Sequence, residues 1–294
     1  MEISSYIKQS FKITLLKFIS ISVFYYIYFI IATIILNMIL SPIMPDTKDS
    51  INPFDFINSV IVRYNMLTMD ALMKFYLAII LGIFLLVSIC IFLDAANRGI
   101  LLATIGNEKL KFNYRFYFMI GNMFMKRFIL ILLFNSILLT IIYMFSYFSN
   151  SMLLTIFSWM DTITPVIRYS FEIIIATAYS AVSLYLFFAL FILFNYLPTI
   201  TIIENSTFKN TVKKVLLILR SPSLFIKFTL FNLLVMVILS AIFIACLSVI
   251  ALSISIPILY PIAFILYLFS MIFIIIFNGA TSLVFYINQG KEIS

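Results

Sequence analysis

The side chains best able to bind a charged ligand are lysines and arginines in three short stretches, residues 6–17, 112–127 and 208–220. In each stretch, apolar residues recur at the spacing of one helix face, and cations fall on another side. Such helices suit a membrane interface, where cations meet anionic headgroups. The predicted contacts with lipid or a partner protein are Lys8, Lys12, Arg115, Lys126, Arg127, Lys209, Lys213 and Lys214. The alternative is ordinary positive flanking of apolar helices, with no lipid role.

Three asparagines form a second candidate site, in segments that align with one another. Each segment begins and ends with Asn, ten positions apart: residues 97–107, 195–205 and 278–288. A helix-loosening residue follows the first Asn within three positions: Gly99, Pro198 and Gly279. We predict that the first asparagines bond neighbouring helices across an internal three-fold repeat: Asn97, Asn195 and Asn278. The alternative is a cytoplasm-facing polar vestibule that these asparagines line.

Most residue combinations used in catalysis are missing from the sequence. It has no histidine, which excludes histidine-based triads, metal sites and proton relays. Cys90 and Cys246 lie in separate apolar runs and are expected to pack rather than pair. No nucleophile–base pair, phosphate-binding glycine loop or metal-ligand cluster is found. We predict no metal, no cofactor and no catalysis; an intramembrane enzyme is the minor alternative, with Asp94 and Glu172 at the ends of apolar runs.

Composition indicates which elements must position these residues. The 294-residue chain is 64% hydrophobic and 10% charged, against about 25% charged in a soluble domain. Six apolar runs each have the roughly 20 residues needed to cross a hydrocarbon core of about 30 Å. The predicted fold is all-α, a polytopic bundle of six transmembrane helices in three hairpins, each preceded by a basic amphipathic interfacial helix. The predicted spans are residues 18–40, 75–93, 128–148, 173–197, 225–252 and 264–285.

Lysine and arginine also predict the orientation of these spans. Fifteen of the 19 lie at the N-terminus, after the second or fourth span, or at the C-terminus. The positive-inside rule therefore predicts that both termini are cytoplasmic. We predict a single transmembrane domain, residues 1–294, in the cell membrane. Its net charge of +8 favours anionic lipid headgroups as partners, and nucleic acid is not predicted.

Residues 194–222 carry a resemblance to known families. A span ends there, a short turn with an acid and small residues follows, and then come a basic helix and the next span. This pattern resembles poorly characterised six-helix prokaryotic membrane families, including those named as membrane domains of glycerophosphodiester phosphodiesterases. It covers residues 194–239, with a fainter echo at 94–133. The resemblance implies a six-span topology and a non-catalytic role, because the histidine and paired carboxylates of the phosphodiesterase domain are missing here.

Two hypotheses about function follow from the sequence. The first is a multi-pass membrane protein without catalysis, which organises membrane or anchors a membrane or cytosolic protein complex through its basic cytoplasmic helices. The second is a transporter or permease core whose cytoplasmic vestibule is lined by the three asparagines.

Overall fold

Helices account for all the regular secondary structure that is described. The structure, a computed structural model, describes residues 3–44, 53–159, 165–255 and 260–289. Within these ranges there is no strand, which confirms the all-α prediction. The helices are α1 (Ile3–Leu40), α2 (Pro53–Asn65), α3 (Met69–Gly106), α4 (Tyr114–Trp159), α5 (Pro165–Ile203), α6 (Phe208–Arg220), α7 (Pro222–Ser255) and α8 (Tyr260–Gln289).

Within the described residues, six helices are long and apolar enough to cross a membrane: α1, α3, α4, α5, α7 and α8. Each contains one predicted span, so the prediction of six apolar helices is confirmed. The helices are longer than the spans because their polar flanks remain helical. With 46 residues, α4 is about 69 Å long, more than twice the thickness of a hydrocarbon core. Six such helices are consistent with a multi-pass membrane protein.

The three basic stretches differ in their relation to the spans. Residues 6–17 are the first part of α1, and most of 112–127 is the first part of α4. No helix breaker follows either stretch, so the basic and apolar parts are continuous. Only α6 is separate: Ser221 is extended, with φ −87° and ψ 111°, because Pro222 disfavours the helical conformation before it. The prediction of a basic amphipathic helix before every hairpin is therefore not confirmed, since the first two basic stretches belong to the helices that contain the spans.

The three residues expected to loosen their helices do not end them. α3 continues past Gly99, α5 past Pro198 and α8 past Gly279. At Gly99 the backbone of α3 passes so close to Ile120 of α4 that an added Cβ would collide with that side chain. This glycine permits a close approach between helices.

The chain divides into two compact units. Unit 1 consists of Met1–Phe18 and Ala95–Ser294, and unit 2 of Ile19–Asp94. That they act as a single transmembrane domain stays a prediction. In unit 2, Gly82 lets α3 approach Ile39 of α1, and the Tyr64 and Tyr76 hydroxyls share a hydrogen bond.

Aromatic side chains from α5, α7 and α8 form much of the core of unit 1. The rings of Phe231 and Phe285 stack with centroids 4.0 Å apart. Phe228 packs edge-on against Phe285 at 5.0 Å and against Tyr196 at 4.7 Å. All four side chains are buried, and this cluster packs α5, α7 and α8 against one another.

Candidate functional site

Polar contacts join each of the first two basic segments of unit 1 to the connection before the next one, at one end of its helices, which we call the basic end. Lys12 of α1 forms an ion pair of 2.5 Å with Glu108, after α3, and Lys17 donates to the carbonyl of Leu110. Farther along, Arg127 of α4 donates to Asn205 Oδ1 at 2.7 Å, in the α5–α6 connection. Segments separated by about a hundred residues thus meet.

A small network attaches α6 to the ends of α5 and α8. Glu204 Oε1 accepts hydrogen bonds from Lys214 Nζ at 2.8 Å and from the Tyr286 hydroxyl at 2.7 Å. The hydroxyls of Thr201 and Thr211 lie 3.2 Å apart and are buried. These contacts fix which face of α6 is turned toward the rest of unit 1.

The eight candidate cations fall into two groups. Lys12 and Lys214 are ion-paired, and Arg127 also lies over the Phe124 ring, 5.5 Å from its centroid. Among the described residues, the other five make no ion pair and have exposed side chains: Lys8, Arg115, Lys126, Lys209 and Lys213. This second group is available to a ligand outside the protein.

Arg98 is the centre of a second polar cluster, inside unit 1. Its side chain is buried, and Nη1 lies 2.8 Å from Thr199 Oγ1, 3.1 Å from Ser282 Oγ and 3.3 Å from the carbonyl of Asn195. Thr199 and Ser282 also bond each other, at 3.0 Å. A guanidinium thereby joins α3, α5 and α8, the second helices of the three predicted hairpins.

The structure brings two of the three candidate asparagines together. Asn278 Nδ2 donates to Asn195 Oδ1 at 2.9 Å, beside the Arg98 cluster. The third, Asn97, accepts a hydrogen bond of 2.8 Å from the buried hydroxyl of Tyr117 on α4. Each asparagine therefore bonds a neighbouring helix.

Sequence reasoning missed several members of these clusters. Arg98 is not among the candidate site residues of the sequence, which did not identify its long-range acceptors Thr199 and Ser282. One pattern could have found them: Thr199 and Ser282 each lie four residues after a candidate asparagine, on the same helix face. No such pattern pointed to Tyr286 as a partner of Glu204.

Two open grooves on the described helices are apolar. One, of about 510 Å³, lies between α5 and α7 and includes Phe188, Met236 and Ala241. The other, of about 320 Å³, belongs to unit 2 and includes Met38, Leu81 and Gly82. Neither lining includes a charged residue, so neither groove offers a charged side chain to a ligand.

No family model, curated protein or solved structure matches this chain. The fold indicates the class of protein: the six apolar helices of the described residues are consistent with a multi-pass membrane protein. Its basic segments lie toward one end of unit 1.

Proposed function

We propose that this chain is an integral membrane protein without catalysis of its own, which organises the membrane or anchors a complex through its basic end. One observation supports this best: there, basic segments bond the connections that precede the other basic segments, and five candidate cations stay exposed. Exposed cations beside a membrane attract anionic headgroups or an acidic protein surface. The resemblance to six-helix families, including glycerophosphodiester phosphodiesterase membrane domains, agrees with a non-catalytic role.

The proposal puts the basic end in the cytoplasm. It is supported by the fifteen of 19 lysines and arginines predicted on that side. Single cysteines test this in a background where Cys90 and Cys246 are replaced by alanine. Lys213→Cys should react with an impermeant maleimide only when the reagent reaches the cytoplasm, and Val62→Cys, exposed on α2, only from outside. The opposite labelling pattern would show that the basic end lies outside the cytoplasm and would refute this part of the proposal.

Extraction into native membrane discs tests the function itself. Mass spectrometry would identify the lipids and proteins retained by the natural chain. They would be compared with those retained by a variant in which the five exposed cations are replaced by glutamine. This variant should lose anionic lipid or a protein partner. The control is Lys74→Gln, which removes a cation that is paired with Asp70 at 2.6 Å and predicted on the other side. Equal retention by all three proteins would refute the proposal.

The Arg98 cluster supports a second candidate, a transporter with a cytoplasmic vestibule. Ionisable residues inside membrane bundles often mark the path of a substrate. A water-filled vestibule would expose Asn278 to solvent, so Asn278→Cys would react with an impermeant maleimide added from the cytoplasm. In an anchoring protein with a packed interior, this cysteine should stay unreactive while Lys213→Cys reacts. Labelling of both would favour the transporter.

A further inference from the structure

The helix α6 has two distinct faces. One is buried against the rest of unit 1 and consists of Thr211, Val215 and Ile218. The other is exposed and carries Lys209, Lys213, Leu216 and Arg220, which follow one another every three or four residues, as along one strip of a helix. We call this strip, together with the adjacent Leu217, the outer face of α6. Leu216 is 41% exposed and Leu217 44%.

Both ends of α6 are tied to membrane spans. At its beginning, the Phe208 ring packs against Phe134, 5.6 Å between centroids, and Phe134 lies within the predicted span of α4. At its end, only Ser221 separates Arg220 from α7. The helix is therefore held at the level where the apolar spans end, and it cannot extend far into the cytoplasm.

The composition of the outer face suits one environment better than any other. Its three cations need contact with water or anions. Moving its two leucines out of water is favourable, because burial of apolar surface lowers the free energy. A membrane interface provides both, with phosphates above and acyl chains below. No acidic residue occurs in α6, and its fourth cation, Lys214, is already paired with Glu204. The outer face is thus positively charged and complementary to an anionic lipid surface.

We propose that the outer face of α6 binds the anionic phospholipids of the protein's own membrane, with the helix lying in the plane of the cytoplasmic interface. The two leucines enter the acyl boundary, and Lys209, Lys213 and Arg220 contact headgroup phosphates. This inference rests on the proposed function and deepens it, because it names the ligand class and the helix that binds it. The other two basic stretches continue directly into spans, so α6 is best placed to lie flat.

A tryptophan reporter can test which lipids touch this face. Trp159 is the single tryptophan of the chain, so Trp159→Phe removes the natural tryptophan fluorescence. Leu217→Trp then reports from the outer face, and Leu184→Trp, on the exposed surface of α5, reports from inside a span. Each full-length protein is reconstituted into vesicles of phosphatidylcholine and phosphatidylglycerol. Quenching is compared when one lipid or the other carries brominated acyl chains.

The expected result is stronger quenching at Leu217→Trp by brominated phosphatidylglycerol, with no preference at Leu184→Trp. Because each cation near an anionic surface contributes about five-fold in binding, Lys209→Gln and Lys213→Gln should each lower the preference by up to about five-fold. The matched control removes two exposed cations that lie between α3 and α4 and are not among the eight candidates, Lys109→Gln with Lys111→Gln, and should leave the preference nearly unchanged.

The other outcomes overturn the inference in separate ways. Absence of quenching at Leu217→Trp, with normal quenching at Leu184→Trp, would mean that the outer face lies in water. A change in its emission with added polyglutamate and no lipid quenching would make α6 a protein-docking helix. In both cases the proposed function would stand if the native discs still retained a partner through the basic end, and it would fail if they retained none.

Discussion

Replacing Thr199 by valine is the sharpest test of the buried polar cluster. The two side chains have nearly the same shape, so the change removes one hydroxyl and leaves no cavity. That hydroxyl lies 2.8 Å from Arg98 Nη1 and 3.0 Å from Ser282 Oγ. The matched control is Thr104→Val on α3, which is equally buried but bonds only the carbonyl of Ile100 in its own helix.

The expected loss in the free energy of unfolding depends on the hydrogen bonds that Arg98 retains after the substitution. A hydrogen bond to a charged group contributes about 1.5–3 kcal/mol in soluble proteins. Bonds between membrane helices contribute less, about 0.6 kcal/mol on average and up to about 1.7. Arg98 still has Ser282 at 3.1 Å and the carbonyl of Asn195 at 3.3 Å. We therefore expect Thr199→Val to lower the free energy of unfolding by about 1.5 kcal/mol, and the control to lower it by about 0.5 kcal/mol or less.

Titration of the purified protein with sodium dodecyl sulfate in mixed micelles would measure both values. Unfolding would be followed by helix content and by the reactivity of Cys246, half-buried beside Ser270 at 2.7 Å, after Cys90→Ala removes the other thiol. If both valine variants lost the same stability, the bond between Arg98 and Thr199 would contribute nothing, and the cluster would not hold the three helices together.

Two further substitutions probe close packing and the attachment of α6. Gly99→Ala should lower the free energy of unfolding by about 1–3 kcal/mol, because its Cβ would collide with Ile120. The control Gly106→Ala, whose Cβ would meet no neighbouring atom within 4 Å, should be almost neutral. Thermal unfolding would distinguish the two variants, and equal midpoints would contradict the close approach. Glu204→Gln should lose less than about 1 kcal/mol, because Lys214 is one-third exposed and partly screened by solvent. It should speed amide hydrogen exchange in α6, more at low salt than at high salt; unchanged exchange would show that this ion pair does not hold the helix.

The helical elements could be predicted because membrane insertion depends on local composition. A run of about 20 apolar residues is sufficient to define a span, and all six predicted spans lie inside long helices. Helix ends were harder to place, because a helix continues until something stops it. Proline does so at Ser221-Pro222, but Pro198 does not, and α5 continues beyond it to Ile203.

The candidate sites were predicted only as residue types. The sequence identified eight cations as a group but gave no way to separate Lys214, which pairs with Glu204, from its neighbour Lys213, which is exposed. The two are adjacent in sequence and 100° apart around the helix, so the packing of α6 decides their roles. Likewise, three equivalent asparagines were expected, yet Asn195 and Asn278 bond each other whereas Asn97 accepts a hydrogen bond from Tyr117.

The six long apolar helices of the described residues were predictable from the sequence, because hydrophobic length is a local property of the chain. The sequence also determined where the cations lie along the chain. The packing of the helices sets which cations are exposed and lets Arg98 of α3 bond residues of α5 and α8. The bonds of Arg98 join residues about 100 to 180 positions apart in the sequence. The exposure of each cation depends on how its helix is rotated against its neighbours, since adjacent residues point 100° apart around the helix axis.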